Sequence, residues 1–262
     1  MLLRTVQKLG KNNGSYHGER IDIAAVLRDI REDASATGWN FDPVLATPAL
    51  ELHAWHRPSS QPRRRIYIST GIHGDEPAGP LAIRELVREN AWSQDVDICL
   101  CPGLNPTGFP INRRENASGI DLNRQYLHLE AEETRAHVDW LQRQPAFDVA
   151  LCLHEDWESH GFYLYELNPD NRPSHAEEMI RRVSAVCPID LSPEIEGRPA
   201  QGGIINPSID PRSRPEWPEA FWLLTHKTRH SYTLEAPSDF PLATRVNALV
   251  EGVKAVLDDA HA

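Results

Sequence analysis

Short apolar runs alternate with longer helical patterns along most of this chain, and that alternation is what most constrains its fold. Residues 50–55 (LELHAW) switch between apolar and polar side chains, as a half-exposed strand does. Residues 65–70 form a second run and feed a glycine-bearing segment, GIHGDEPAG. Residues 80–90 then take a helical period, with Leu81, Ile83, Leu86 and Val87 on one side and Arg84, Glu85 and Arg88 on the other. Residues 96–101, 148–153, 161–166 and 231–234 read as further strands. Residues 130–142, 174–186 and 242–257 read as helices. The pattern predicts a single α/β domain over residues 1–262, with a mixed, mostly parallel β-sheet flanked by helices. Residues 187–222 are rich in proline and glycine, and predict an irregular excursion rather than a second domain.

Composition narrows the function classes. The formal net charge of -11 argues against nucleic-acid binding, which needs a basic stripe. The short run Arg63-Arg64-Arg65 reads as a solvated loop ahead of a strand. No apolar run approaches the roughly 18 residues of a membrane span. The N-terminal apolar stretch is broken by Arg4 and Lys8, unlike a secretory signal, so a cytoplasmic protein is expected. Cys99, Cys101 and Cys152 lie in apolar strand-like runs, and with Cys187 they form no CxxC pair. They read as buried free thiols suited to a reducing compartment.

The residues able to carry chemistry are predicted to sit just past strand ends, where open α/β sheets gather their ligand sites. His73 and Glu76 follow the strand of residues 65–70, His154 follows residues 148–153, and Glu235 follows residues 231–234. His73-Gly74-Asp75-Glu76 places an imidazole and a carboxylate three residues apart, with Gly71 and Gly74 freeing the backbone to turn both toward one point. With His154 they make a two-His, one-carboxylate set that leaves a fourth metal position open. The segment HEDWESH at residues 154–160 does not make a His-Glu-x-x-His helix motif, because its second histidine, His160, is six residues along.

Residues 105–126, NPTGFPINRRENASGIDLNRQY, form the most specific stretch. Arg113, Arg114 and Arg124, with Asn116 and Asn123 between them, suit a carboxylate or a developing oxyanion. Asp121 can also pair with an arginine to pin the loop.

GIHGDEPAG, the Asn105-Pro106-x-Gly108 turn, Arg114 through Arg124, His154 and Glu235 in YTLEAPS follow the order found in zinc metallocarboxypeptidases. Over roughly residues 60–240 the chain resembles a small prokaryotic-style member of the carboxypeptidase A-like superfamily. The resemblance implies one Zn²⁺ per chain, held by His73, Glu76 and His154. It implies Glu235 as general base and acid, and Arg114 as the group that polarises the scissile carbonyl. Asn123 and Arg124 would grip the terminal carboxylate of a small peptide. The chain departs from the digestive enzymes in having no tyrosine in the stretch Pro211-Arg212-Ser213-Arg214-Pro215. Residues 187–222, with Trp217, Phe221 and Trp222, are expected to wall the cleft, although each aromatic can equally anchor the segment to the core.

Two other readings stay open. One is a zinc deacylase of acylated amino acids, resembling the succinylglutamate desuccinylase and aspartoacylase family, which also begins with a GxHGxE-like motif. The other is a binding module that kept the fold without catalysis. The oligomeric state is not legible from the sequence.

Overall fold

The computed structural model describes residues 6–47, 50–208, 210 and 215–258. In chain order the elements are α1 (Ile23–Ala36), β1 (Asn40–Ala46), β2 (Glu51–Arg57), β3 (Arg64–Thr70), α2 (Ala78–Glu89) and β4 (Val96–Cys101). Two 3-10 turns, Phe109–Ile111 and Leu122–Arg124, precede α3 (Glu132–Arg143), β5 (Val149–Asp156), β6 (Tyr163–Leu167) and α4 (Ala176–Val183). Then come three two-residue strands, β7 (Glu194–Ile195), β8 (Arg198–Pro199) and β9 (Ile204–Ile205). The chain closes with α5 (Glu219–His226), β10 (Ser231–Pro237) and α6 (Leu242–Leu257).

Eight strands form one mixed sheet in the order β1-β2-β4-β3-β5-β10-β6-β9. Its centre, β4-β3-β5-β10, is parallel, so each of those strands is buried on both faces, as continuous apolar sequence requires. One core joins the sheet to α1, α2, α4 and α6. A second lies on the other face, beneath α3 and α5, around Tyr67, Trp140 and Phe221. The expected single α/β domain is what the chain forms.

From β3 the chain crosses through α2 to β4 on one side, then returns through α3 to β5 on the other. The β3/β5 boundary is therefore a topological switch point, with a crevice outside the strand ends.

Three expectations need correction. His154 and Glu235 do not follow their strands; β5 runs to Asp156 and β10 to Pro237, so both lie inside the sheet. The parallel ladder continues because Glu235 pairs with His154 and Pro237 with Asp156. The irregular segment also ends earlier than residue 222: α5 begins at Glu219, and Phe221 and Trp222 are buried helix residues that anchor it to the second core. The basic run is not a loop, since Arg64 and Arg65 already belong to β3. α1 and β1 had no counterpart in the sequence reading. Residues Pro211, Arg212, Ser213 and Arg214 of the tyrosine-free stretch lie outside the described residues. Among the described residues no helix is long and apolar enough to cross a membrane.

Candidate active site

The loop after β3 turns at Gly71, whose φ of +66° favours glycine. Gly74 is needed for a different reason than turning freedom: a Cβ there would collide with the backbone of Gly108 in the Asn-Pro-Thr-Gly turn. The two loops are tied by Asn105, whose Nδ2 donates to Ile72 O and to Arg114 O, each at 3.2 Å. Its Oδ1 accepts the Gly108 N–H at 2.9 Å.

This packing brings His73 and Glu76 against His154. The donor atoms of the three lie within 4.8 Å of one another, and all three residues are buried. His73 Nδ1 is 2.5 Å from Glu76 Oε1, and His154 Nδ1 is 3.0 Å from Glu76 Oε2. Arg114 Nη1 also faces His73 Nδ1, at 3.3 Å. His73 Nδ1 and the Glu76 carboxylate, both able to coordinate, stand close enough to share one cation. The other ring nitrogen, Nε2, faces Asp121 Oδ1 at 3.4 Å, the carboxylate–histidine pairing that orients metal-binding imidazoles. Two imidazoles, one carboxylate and an open side thus fit a divalent metal of the zinc type. Burial pulls the His73 pKa down, but Glu76 and Asp121 outweigh it and raise it. Burial likewise opposes ionisation of Glu76, yet the two imidazoles hold its carboxyl well below the usual range.

Around this triad opens a cleft of about 460 Å³. Sheet register supplies one wall. Glu235 stands opposite His154 on one side and Tyr163 on the other, and Thr233 opposite Cys152 and Tyr165. The period of two puts all of them on one face. Burial pushes the Glu235 carboxyl well above the usual range; His154 opposes this, and Glu76 and Asp156 reinforce it. Tyr163 donates to Asp156 Oδ2 at 3.2 Å, and burial raises the Asp156 pKa to about 6.

The 3-10 turns supply the other wall. Arg114 Nε donates to Asp121 Oδ2 at 2.9 Å, so Asp121 pins the loop while Arg114 still lines the cleft. Asn123 and Arg124 also line the cleft. Asn116 does not: its amide is spent on Glu133 and on the backbone of Ser118 and Ile120. Arg113 is exposed. Glu155, adjacent to His154, points to the opposite face. There it accepts the first N–H of α2 at 2.6 Å and pairs with Arg245 at 2.5 Å, so it orients no ligand histidine.

The sequence reading missed Tyr163, Tyr165, Glu196 and Arg198, which also line the cleft. The i, i+2 spacing of the tyrosines was a visible signal of a shared face. Glu196 and Arg198 were not recoverable, because only the turn between β7 and β8 brings them in. A larger hollow of about 610 Å³ beside α1 contains none of these groups; chemistry rather than size selects the cleft. His56, Asp97 and Cys99 also lie within metal-binding reach of one another. There, however, Asp97 pairs with His56 at 2.7 Å and faces Arg65 at 3.8 Å, and that guanidinium disfavours a cation.

The eight-stranded sheet and its flanking helices make a carboxypeptidase-like fold. Residues 62–193 match the succinylglutamate desuccinylase/aspartoacylase catalytic domain, and the chain belongs to that family. It is also similar to carboxypeptidase SOL1 of Arabidopsis thaliana, with 35% identity over 32% of this chain and 21% of that protein. Carboxypeptidase 2 of Trichophyton rubrum is 33% identical over 37% of this chain and 19% of its own length. The matched stretch thus spans about a fifth of these curated relatives. Among solved structures, a candidate metallopeptidase from Shewanella amazonensis superposes with a TM-score of 0.80 at 20% identity, covering 93% of this chain and 98% of that one. A metallo-carboxypeptidase from Burkholderia cenocepacia gives 0.64 at 16% identity, covering 90% and 67%. At these identities the likeness is one of fold.

Proposed function

We propose that the chain is a zinc-dependent hydrolase that releases a carboxylate-terminated residue from a small peptide by cleaving its amide bond. The observation that carries this reading is the shared cleft: the His73–Glu76–His154 set opens into the same hollow as Glu235, Arg114, Asn123 and Arg124. His73, Glu76 and His154 would hold Zn²⁺, which when bound would supply Lewis acidity toward water and the scissile carbonyl. Arg124 and the Asn123 amide take the terminal carboxylate, which fixes the amide bond in the cleft. Arg114, braced by Asp121, faces the carbonyl oxygen as negative charge develops there. Glu235 takes a proton from the attacking water and returns it to the leaving nitrogen. Its raised pKa suits return of that proton to the leaving nitrogen.

The family match favours a second reading, removal of an acyl group from an amino acid. The cleft extends past Glu235 to Tyr163, Tyr165 and the Glu196–Arg198 turn, space that a short acyl group does not need. That extent supports the peptide.

Metal analysis and a substrate panel test the proposal together. We expect one zinc per chain, lost in His73→Ala, and faster release of amino acids from short peptides than from N-acyl amino acids. Glu235→Gln should keep its zinc and lose about 10²- to 10⁴-fold in kcat. A wild-type chain that takes up no zinc, or undiminished turnover in Glu235→Gln, sinks the mechanism. Preference for N-acyl amino acids selects the second reading.

A further inference from the structure

Glu219 opens α5 and is only 1% exposed. One carboxylate oxygen accepts the Tyr67 hydroxyl at 2.8 Å and the other the Ser69 hydroxyl at 2.9 Å, both from β3. Its backbone N–H donates to Asn123 Oδ1 at 2.9 Å. A backbone N–H cannot accept, so this bond fixes which end of the Asn123 amide is which. The carbonyl end faces α5, and the NH₂ end is left for the cleft that Asn123 lines.

The side-chain bonds extend further and share one direction. Tyr67 can donate to Glu219 because its oxygen is free to accept from His137 Nε2, 2.8 Å away. His137 is fully buried, and burial pushes its pKa down to about 3, so the ring is neutral and carries one N–H. With that proton on Nε2, Nδ1 accepts the Tyr126 hydroxyl at 2.7 Å. Tyr126, two residues beyond Arg124, is thereby joined through His137 and Tyr67 to Glu219. A buried carboxylate with both oxygens satisfied is costly to move, because any displacement strands it.

We infer that Glu219 is a positioning residue for substrate binding: it clamps the first turn of α5 to β3, so that its own N–H holds the Asn123 amide with the donor end toward the substrate carboxylate. This rests on the proposed role of Asn123. Glu219 itself touches no reacting atom. Neither the catalytic motif nor the spacing of the arginine-asparagine loop points to it.

A double-mutant cycle on the zinc-loaded protein tests the inference. Its readouts are KM and kcat for an acetylated dipeptide with a free carboxylate, with calorimetric binding of N-acetyl-alanine and of its amide as a readout independent of turnover. Glu219→Ala should raise KM and weaken N-acetyl-alanine binding about tenfold, with kcat within about threefold and binding of the amide unchanged. Glu219→Gln, which keeps the volume and lets the Ser69 hydroxyl rotate to accept, should recover to within about threefold. In an Asn123→Ala background, Glu219→Ala should add less than twofold. If Glu219→Ala is poorly folded by thermal melting, Tyr67→Phe with Ser69→Ala removes the same clamp, and a tenfold effect that vanishes without Asn123 is expected again. A full tenfold effect of either variant in the Asn123→Ala background overturns the positioning role and leaves the carboxylate grip intact. Unchanged binding in Asn123→Ala alone overturns the grip, and the positioning role with it.

Discussion

His154 and Glu235 stand opposite each other on neighbouring strands, whereas Arg114, Asn123 and Arg124 ride on a loop of 3-10 turns. The first pair is placed by sheet register. Moving either residue means slipping a parallel ladder that runs from Ser231 to Pro237, and a one-residue slip of either strand would turn its own side chain away from the cleft. The second group is placed by side chains bonding to backbone: Asn105 ties the two loops together, and Asp121 holds both Arg114 and the Asn123 N–H. Register errors are all-or-none, while loop errors are graded. The sheet half of the site should therefore fail only with the fold, and the loop half should loosen while the fold survives.

The largest effect expected on this comparison comes from beneath β5. Arg245 and Glu155 are both wholly buried, and Arg245→Ala leaves the Glu155 carboxylate without its cation. Breaking such a pair costs about 3–5 kcal/mol. Urea unfolding should show that loss, yet at a temperature where the variant is folded its kcat/KM should stay within about threefold of wild type. A large activity loss in the folded variant would mean that register does not protect the sheet half. Asn105→Ala should behave in the opposite way. It removes buried bonds worth about 1–3 kcal/mol and frees the Arg114 loop, and displacement of a catalytic group by about 1 Å can cost roughly 10²-fold in rate. Activity should fall much further than stability.

The seam between the halves has its own signature. His137 stays neutral inside the fold down to about pH 3, while an unfolded histidine titrates near 6.5. Above pH 6.5 neither state is protonated there. Below it the unfolded chain gains the proton and the fold does not, so stability is lost progressively from about pH 6.5 to about pH 3. By pH 5 the loss from this one residue is about 2 kcal/mol, at roughly 1.4 kcal/mol per pH unit. Chemical denaturation at pH 7 and pH 5 should show His137→Gln losing about 2 kcal/mol less than wild type over that interval. Equal losses would mean that the ring is charged in the fold and that the one-way chain from Tyr126 to Glu219 is wrong.

The same division governs what the sequence reveals. Val96–Cys101 and Leu242–Leu257 are visible because continuous apolar runs and helical spacing are set by burial alone. His73, Glu76, His154, Arg114, Asn123, Arg124 and Glu235 are visible as motif positions, and the fold gathers them in one cleft. What escapes depends on contacts between distant segments. The extension of β5 and β10 past polar residues is decided by pairing between strands about eighty residues apart. The role of Glu219 needs β3, α5 and the arginine-asparagine loop at once. The placement of Glu155 also escapes, because it follows from β5 carrying on past His154, which turns Glu155 to the opposite face toward Arg245.

The third side of the cleft belongs to neither half, and it carries the smallest predicted effect. The β7–β8 hairpin closes through Glu196 and Gly197, with φ values of +53° and +66° between the paired residues Ile195 and Arg198. Both central residues in the left-handed region make a type I′ turn, for which Asn-Gly is preferred. Glutamate lacks the short side chain that lets asparagine adopt this conformation readily, and the left-handed region costs most L-residues about 1–2 kcal/mol. Glu196→Asn should therefore stabilise the hairpin by up to about 1 kcal/mol, read as a higher urea midpoint at unchanged slope. Because the hairpin packs on Tyr163 through Ile195, a stiffer turn should leave the sheet wall where it is and alter kcat by less than about twofold. Destabilisation by asparagine would show that the Glu196 carboxylate makes contacts that outweigh its backbone strain, and would place this turn with the loop half of the site, held by its side chains rather than by its backbone.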